Sequence, residues 1–382
     1  MSAEIRLEGY IESLSFAGQR AELPEYPLGK FNINTCKPAC KVAMGSGNTI
    51  ALSRWSGPKR TRTYPFARIY DTYSHSGKIV TVIPVVKDEG RDTNLDRVNF
   101  ITLSWMNLMN IYVILAWYQD AEKKSNTKIT KQRMSNEYII ETLQRIDSYR
   151  LDAHHWNREH FEQCFIPVYR KAIEAYEKIA QSRNVLLHDL QVHEEFIQKV
   201  RGEGDTLDLS KFREVTLKAS ERSAHAEQQT VHRAEHLTEG TVKALIKIRN
   251  NLGGEYYLTC DEVVRLSESS ILIQESKNTS KVLPSLADTK DGLFKLLLFS
   301  HIKELYWLKE GSGKVPLHFE TRLRLTGRFS GFLYLPASEE ELKRFSRQHR
   351  FNIKQEAKLL WLNEELRLLG IRGILEGRSN ET

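Results

Sequence analysis

The sequence YYLTCDEVVRLSESSILIQESKN, from Tyr256 to Asn278, contains two short apolar runs, and each run leads into charged residues. The first run precedes Asp261 and Glu262, and the second precedes Glu275 and Lys277. Because side chains alternate between the two faces of a strand, Glu275 and Lys277 share one face and lie about 7 Å apart along it. We therefore predict a β-hairpin that gathers acidic side chains and one lysine.

The register of this predicted hairpin decides which acid faces Glu275. If residues 267–270 form the turn, simple pairing places Glu262 opposite Glu275. A one-residue bulge would place Asp261 there instead. Both alternatives bring two carboxylates and Lys277 to one edge of the hairpin.

Two neighbouring carboxylates repel each other unless a cation lies between them. Oxygen ligands suit Mg²⁺, which usually binds one or two protein carboxylates and keeps several waters. Bound Mg²⁺ activates a water molecule and stabilises charge on a phosphate, and a nearby ammonium group adds to this stabilisation. We predict Asp261, Glu275 and Glu262 as metal-binding and catalytic acids and Lys277 as the catalytic lysine. Mg²⁺ is the expected cofactor, and Mn²⁺ can substitute for it.

Similar triplets, with an acid two residues before a lysine, begin at Glu122, Asp288, Glu341 and Glu356. We predict that these triplets lie in helices or loops. Only the triplet that begins at Glu275 follows an apolar β run and has an acid on the preceding strand. This difference favours the hairpin as the catalytic element.

Asp261, followed fourteen residues later by the Glu-Ser-Lys triplet at Glu275, resembles the signature of the PD-(D/E)xK nucleases. The resemblance implies a mixed sheet flanked by helices and Mg²⁺-dependent hydrolysis of phosphodiester bonds. It also implies that Asp261 is the first metal ligand, Glu275 the second and Lys277 the catalytic lysine. One position departs from the signature, because Cys260 stands where it has proline. Glu262 therefore competes with Asp261 for the first ligand position.

The whole chain, which is basic and has large helical regions outside the motif, is similar to type II restriction endonucleases. This similarity implies cleavage of double-stranded DNA at a specific sequence. It also implies a homodimer, since symmetric cutting requires two active sites. The alternatives are a repair, resolvase or exonuclease-type nuclease with the same core, and a DNA-binding protein without catalysis.

The pattern of apolar residues predicts an α/β (α+β) fold around this motif. We expect an N-terminal, DNA-contacting region over residues 1–200, a nuclease core over 201–335 and C-terminal helices over 336–382. Smaller elements are expected as follows: a strand over 78–86, a buried helix over 100–118, helices over 136–198 and a pair of strands over 322–335.

The segments on either side of the hairpin are both predicted to be helical. The first runs from about Lys218 to Asn250, and an acid on it, such as Glu221 or Glu227, is a candidate further metal ligand. The second starts near Asp288. This order of helix, strand, strand, helix and strand is the local order of the nuclease core.

Basic residues are in excess, with a formal net charge of +7, which favours a polyanionic partner. Three basic stretches are predicted to contact DNA, since Arg and Lys bind phosphates and Arg also reads guanine. The alternative for each stretch is a solvated basic surface. The predicted contacts are Arg54, Lys59, Arg60, Arg62, Arg322, Arg324, Arg328, Lys343 and Arg347.

Several other classes of function have little support in the sequence. The first residues carry charges where a secretory signal would need an apolar run. The four cysteines do not form two close pairs, as a zinc site would require, and they suit free thiols in a reducing cytoplasm. No GxxxxGK[ST] pattern predicts ATP binding, and Asn107 and Asn110 disfavour a membrane span over 100–118.

Overall fold

The computed structural model describes residues 5–58, 64–218, 241–309 and 313–377. The strands are β1 (Ile5–Ile11), β2 (Glu25–Pro27), β3 (Ala39–Ala43), β4 (Thr49–Arg54), β5 (Ile79–Pro84), β6 (Val86–Asp88), β7 (Leu95–Arg97), β8 (Tyr112–Ala116), β9 (Tyr118–Ser125), β10 (Lys128–Met134), β11 (Thr241–Asn250), β12 (Glu255–Arg265), β13 (Ser270–Asn278), β14 (Glu304–Lys309), β15 (Gly313–Pro316), β16 (His318–Gly327), β17 (Phe332–Leu335) and β18 (Arg372–Gly377). The helices are α1 (Tyr64–Tyr73), α2 (Phe100–Leu108), α3 (Asn136–Ser148), α4 (Ala153–Arg183), α5 (Leu190–Val200), α6 (209–218), α7 (Leu286–Ser300), α8 (Glu339–Gln348) and α9 (Ile353–Leu369), with a short 3₁₀ helix at Leu28–Lys30.

The chain divides into two compact units. One unit combines Met1–Arg20 with Glu221–Thr382, and we call it the hairpin unit because it contains β12 and β13. The other comprises Ala21–Ser220, and we call it the inserted unit. The predicted boundaries near residues 200 and 335 differ from this division, because β1 and the C-terminal elements join the sheet that contains the hairpin.

The hairpin unit is built on a mixed nine-stranded sheet with the order β15-β14-β1-β11-β12-β13-β16-β18-β17. Strand β12 runs antiparallel to β11 and β13, whereas β13, β16 and β18 run parallel to one another. Parallel neighbours require a crossover connection. The segment with α7 connects β13 to β16, and the segment with α8 and α9 connects β16 to β18.

Helix α7 packs closely against the sheet near the end of the hairpin. The side chain of Ser285 caps its N-terminus by accepting a hydrogen bond from the amide of Asp288. Gly292 permits the close packing, because a Cβ atom there would lie 2.9 Å from Cδ1 of Leu323 and 3.3 Å from Cε of Lys277. The helix therefore brings its neighbouring side chains within reach of the hairpin.

The inserted unit contains a five-stranded sheet with the order β2-β3-β4-β5-β8. Strands β4, β5 and β8 are parallel, and α1 and α2 lie in the connections between them. The long helix α4 is tied to β8 through Trp156, whose indole nitrogen donates to the carbonyl oxygen of Val113 at 2.8 Å. Asn157 accepts from the amide of Val113 at 2.7 Å and thereby fixes the same strand.

Several sequence predictions are confirmed by these elements. The fold is mixed α/β and is consistent with the α+β class. The predicted strand over 78–86 contains β5, the predicted helices over 136–198 correspond to α3, α4 and α5, and the helix expected near Asp288 is α7. No described helix is long and apolar enough to cross a membrane.

The helix predicted over 218–250 is wrong for its described part, because Thr241–Asn250 forms strand β11. From Ile246 onward the burial alternates, because Ile246 and Ile248 are buried whereas Lys247 is half-buried and Arg249 is exposed, which is the period of two expected of a strand. Residues 219–240, including Glu221 and Glu227, lie outside the described residues. The helix predicted over 100–118 is also too long, since α2 ends at Leu108 and Tyr112–Ala116 forms β8.

The C-terminal region contains a strand that the sequence prediction missed. The predicted strands over 322–335 correspond to β16 and β17, but these two do not pair with each other. Strand β18 lies between them, parallel to β16 and antiparallel to β17. The expected terminal helices, α8 and α9, are therefore followed by a strand that completes this part of the sheet.

Candidate active site

The hairpin of β12 and β13 has a shorter turn than the sequence predicted. The amide of Leu266 donates to the carbonyl oxygen of Ser270 at 2.9 Å, which leaves three residues between them in the turn. Glu262 consequently faces Gln274, and the predicted pairing of Glu262 with Glu275 is wrong. A shift of one residue exchanges the faces of all side chains on a strand relative to its neighbour.

Asp261 lies at an irregular point of β12. The register between β11 and β12 shifts here, so that two residues of β12 oppose one residue of β11, as in a β-bulge. The Oδ2 atom of Asp261 accepts a hydrogen bond from the amide of Ser276 at 2.9 Å. Continuing the register of the hairpin places Asp261, rather than Glu262, opposite Glu275. Asp261 is therefore the acid of β12 that best fits the predicted pair of carboxylates.

Glu275 and Lys277 are in direct contact on β13. The Nζ atom of Lys277 donates to Oε1 of Glu275 at 2.8 Å and to Oδ2 of Asp291 at 2.9 Å. A second ammonium group, from Lys295, lies 3.0 Å from Oε1 and 3.1 Å from Oε2 of Glu275. The Lys295 Nζ atom also reaches the carbonyl oxygen of Thr259, at 3.4 Å. Four charged residues, Glu275, Lys277, Asp291 and Lys295, therefore form one chain of contacts.

This cluster is largely shielded from solvent. The side chain of Glu275 is 0% exposed, and those of Lys277 and Lys295 are 17% and 13% exposed. Complete burial raises the pKa of the Glu275 carboxyl above its ordinary value, although the charges of Lys295 and Lys277 oppose the shift. Burial lowers the pKa of Lys277, but attraction by Glu275 and Asp291 outweighs it and the pKa is raised. Lys277 is therefore a fixed cation at neutral pH.

Glu262 belongs to a separate cluster. Its Oε2 atom accepts from Nε2 of Gln274 at 2.7 Å, and its Oε1 atom accepts from Oγ of Ser276 at 2.9 Å. Arg324 donates to the same Oε1 atom at 3.2 Å. Both carboxylate oxygens of Glu262 are thus engaged by side chains that do not contact Glu275. The structure does not bring Glu262 together with Glu275 and Lys277.

Asp291 and Lys295 were missed because they lie on α7, beyond the hairpin. A signal for them exists in the sequence, since they are the charged residues of the otherwise apolar segment DGLFKLLLF, at residues 291–299. Their spacing of four places them on one face of the helix. That face could be recognised from the sequence, but its position against β13 depends on the crossover to β16.

The cluster contains carboxylate oxygens, the type of ligand that Mg²⁺ binds, and both oxygens of Glu275 also contact ammonium groups. Among the described residues, no three His, Cys, Asp or Glu side chains are placed to hold a metal ion by themselves. Mg²⁺ does not require three, because it keeps several waters. The three carboxylates outnumber the two ammonium groups, and Oδ1 of Asp291 is buried without a hydrogen-bond partner among the described residues. Asp261 and Glu275 would hold the ion, which supplies an activated water when bound.

One competing triplet lies in a different element from the one predicted. Glu122 is in strand β9, not in a helix or loop. Its carboxylate pairs with Lys131 at 2.9 Å and with Arg133 at 3.7 Å on the neighbouring strand β10. These exposed or half-exposed pairs form the cross-strand contacts of a hairpin, so strand location alone does not distinguish the triplet at Glu275. The triplet at Glu275 differs because Glu275 is buried and because Asp291 of α7 contacts its lysine.

Some of the residues that were predicted to contact DNA are already engaged in contacts within the protein. Nε of Arg322 donates to Gln274 at 2.6 Å, and Nε of Arg324 donates to Glu376 at 2.7 Å, so both are engaged within the protein. Lys343 pairs with Glu339 within helix α8.

Arg328 and Arg347 have exposed side chains, as does Lys343. Arg54 is half-buried in the inserted unit. Lys59, Arg60 and Arg62 lie outside the described residues.

Comparison with known proteins gives no relative for this chain. No protein-family model, no curated protein and no solved structure matches it. The functional argument therefore depends on the residues of the chain and their geometry.

Proposed function

We propose that the chain is a Mg²⁺-dependent deoxyribonuclease of the PD-(D/E)xK type. The observation that carries the proposal is the contact of Glu275 with Lys277 on β13, with Asp261 held beside the same strand. An acid-acid-lysine set of this kind can bind a hard cation and place a positive charge beside a phosphate. It would hydrolyse phosphodiester bonds of double-stranded DNA at a specific sequence, as type II restriction endonucleases do.

The surrounding fold supports the same proposal. The sequence resemblance implies a mixed sheet flanked by helices, and β12, β13 and β16 belong to a mixed sheet on which α7 packs. The helix follows the catalytic strand and leads to a strand parallel to it. These features support the nuclease core, and the homodimer remains part of the proposal because symmetric cutting requires two sites.

In this proposal Lys277 has the central role among the side chains. Its ammonium group is held between Glu275 and Asp291 and cannot easily rotate away. A fixed ammonium can orient the attacking water or stabilise negative charge on the phosphate without reorganisation. Asp291 contacts Lys277 rather than a reacting atom, so we assign it as a positioning residue.

Digestion of a supercoiled plasmid of known sequence tests the proposal. We expect discrete fragments in the presence of Mg²⁺ or Mn²⁺ and no cleavage in excess EDTA. A smear would favour an exonuclease or a non-specific nuclease of the same fold. DNA binding without cleavage under either metal would contradict the enzymatic proposal and favour a non-catalytic DNA-binding protein.

Replacement of Asp291 by asparagine is expected to reduce the cleavage rate by up to about 100-fold, the effect that a small misplacement of a catalytic group can have. The substitution keeps the shape of the side chain but removes one of the two carboxylates that hold Lys277. We expect kcat to fall while KM for DNA changes little, because Asp291 does not contact DNA in the proposal. The measurement is steady-state cleavage of an oligonucleotide duplex.

Glu268→Gln is the matched control, because Glu268 is exposed in the turn of the same hairpin. The control should retain the wild-type rate. A change in KM alone for Asp291→Asn, or an equal loss in both variants, would contradict the positioning role.

A further inference from the structure

The inserted unit contains a cavity with a volume of about 490 Å³. Volumes of roughly 300–1,000 Å³ are typical of pockets for small organic ligands. The cavity lies far along the sequence from the hairpin, and every residue that lines it belongs to the inserted unit. It therefore shares no lining residue with the proposed catalytic cluster.

The position of the cavity in the fold is typical of a ligand site. Arg54 is the last residue of β4, and Trp55 and Ser56 follow it. Lys87 follows the end of β5, and Tyr118 follows the end of β8. These three strands are parallel, so their carboxyl ends meet at one edge of the sheet, which is where open α/β sheets bind ligands.

The cavity lining is rich in positive charge. Four basic side chains line it, from Arg54, Lys87, Lys131 and Arg133, whereas Glu89 is the acidic side chain of the lining. Lys87 pairs with Glu89 at 2.5 Å, Lys131 pairs with Glu122 at 2.9 Å, and Arg133 pairs with Asp120 and Glu122. Among the described residues no carboxylate lies within ion-pair distance of Arg54. The four cations exceed these three carboxylates by one charge, that of Arg54, and this surplus favours an anionic ligand.

Polar groups around the cavity are fixed by hydrogen bonds to the rest of the unit. Gln132 accepts from the hydroxyl of Tyr176 at 2.8 Å and donates to the carbonyl oxygen of Asp88 at 2.6 Å. The hydroxyl of Tyr118 donates to the carbonyl oxygen of Ser56 at 2.7 Å. A wall built from such fixed groups is already formed before a ligand arrives.

The backbone of the wall also contains a strained residue. Lys131, in β10, has a φ angle of +47°. Non-glycine residues in this left-handed region are uncommon, and such strain often occurs at ligand-binding sites. The conformation breaks the regular alternation of β10 at the point where the strand borders the cavity, and the register with β9 shifts there.

We propose that this cavity binds a nucleotide through its phosphate. The four cations provide the phosphate contacts, since Lys and Arg form charge-assisted hydrogen bonds with phosphate oxygens. The volume is much larger than a phosphate ion requires, and Trp55, Tyr118 and Met134 provide an apolar part of the wall for a base. The nucleotide could come from solution or from DNA in which it is displaced from the helix. The proposal does not depend on the nuclease activity.

The test is the binding of single deoxynucleoside monophosphates to the full chain, measured by titration calorimetry. We expect the double variant Lys87→Gln/Lys131→Gln to bind them at least about tenfold more weakly, because it removes two charged hydrogen-bond donors. Lys123→Gln/Lys124→Gln is the matched control. It removes the same charge from exposed positions of β9 that do not line the cavity, and it should bind like the wild type.

Three outcomes would overturn the proposal: no binding of any of the four nucleotides, equal weakening in both double variants, or binding of inorganic phosphate as tight as that of nucleotides. Competition by a duplex with one unpaired nucleotide would identify DNA as the source, and its failure to compete would identify the free nucleotide.

If the double variant does not fold, photo-crosslinking of an azido-nucleotide to the wild type replaces the titration of that variant. Crosslinks outside the cavity would then contradict the proposal.

Discussion

Replacement of Lys277 by alanine is expected to lower the rate of Mg²⁺-dependent DNA cleavage by about 100- to 1,000-fold, the usual effect of removing one preorganised charge-stabilising group. The half-buried ammonium of Lys277 lies between the carboxylates of Glu275 and Asp291. Without it, a developing phosphate charge would face Glu275 and Asp291 directly. Single-turnover cleavage of a duplex with saturating enzyme measures this effect on the chemical step.

The exposed residue Lys281 provides the control for this experiment, since it lies shortly after β13 in the chain and outside the cluster. Lys281→Ala should cleave at the wild-type rate. A thermal unfolding curve for each variant shows whether the protein is folded, and Lys277→Met provides a second variant that keeps the apolar part of the side chain. Cleavage by both Lys277 variants within twofold of the wild type would refute the assigned role.

The local part of the candidate site could be predicted from the sequence. Glu275 and Lys277 are two residues apart on one strand, so their shared face follows from strand geometry without knowledge of the fold. The partner acid depended on the turn. The turn has one residue fewer than predicted, and this places Asp261 rather than Glu262 beside Glu275. The sequence SESS does not determine the length of the turn.

The remaining errors involve contacts between distant parts of the chain. Strand β11 was predicted as a helix because its apolar residues were assigned to a longer helical pattern. In the structure it pairs with β1, more than 230 residues earlier, as well as with β12. Strand β18 was missed because only its place between β16 and β17 gives its short apolar sequence a partner. Periodicity within a segment does not reveal such partners.

The charged residues of the hairpin form two groups that contact different elements. Glu262, Gln274 and Arg324 form contacts across three adjacent strands and stabilise the sheet. Glu275 and Lys277 instead contact Asp291 and Lys295, the two charged residues of the otherwise apolar segment 291–299 of α7. Placing ions in a buried helix-sheet interface is costly unless each has a partner. Such a cluster is therefore more informative about function than the exposed pairs elsewhere.

Replacement of Lys295 by methionine is expected to lower the free energy of local unfolding around β13 by about 3 kcal/mol, because breaking a buried ion pair leaves an uncompensated charge. Lys295 contacts both oxygens of Glu275, whose side chain is 0% exposed. Lys277 stays beside Glu275, so we expect the lower end of the usual range. Hydrogen exchange of peptides from residues 270–278 measures this opening without requiring the two units to unfold together.

Two further variants make the result specific to the buried pair. Lys303→Met removes an exposed lysine, 59% accessible, that pairs with Glu12 at the surface, and it should cost less than about 1 kcal/mol. The double variant Glu275→Gln/Lys295→Met removes both charges and should be more stable than Lys295→Met alone, because it leaves no buried carboxylate that has lost one of its two cations. If Lys295→Met costs no more than Lys303→Met, or if the double variant is less stable than the single one, Glu275 is not held in its ionised form by Lys295.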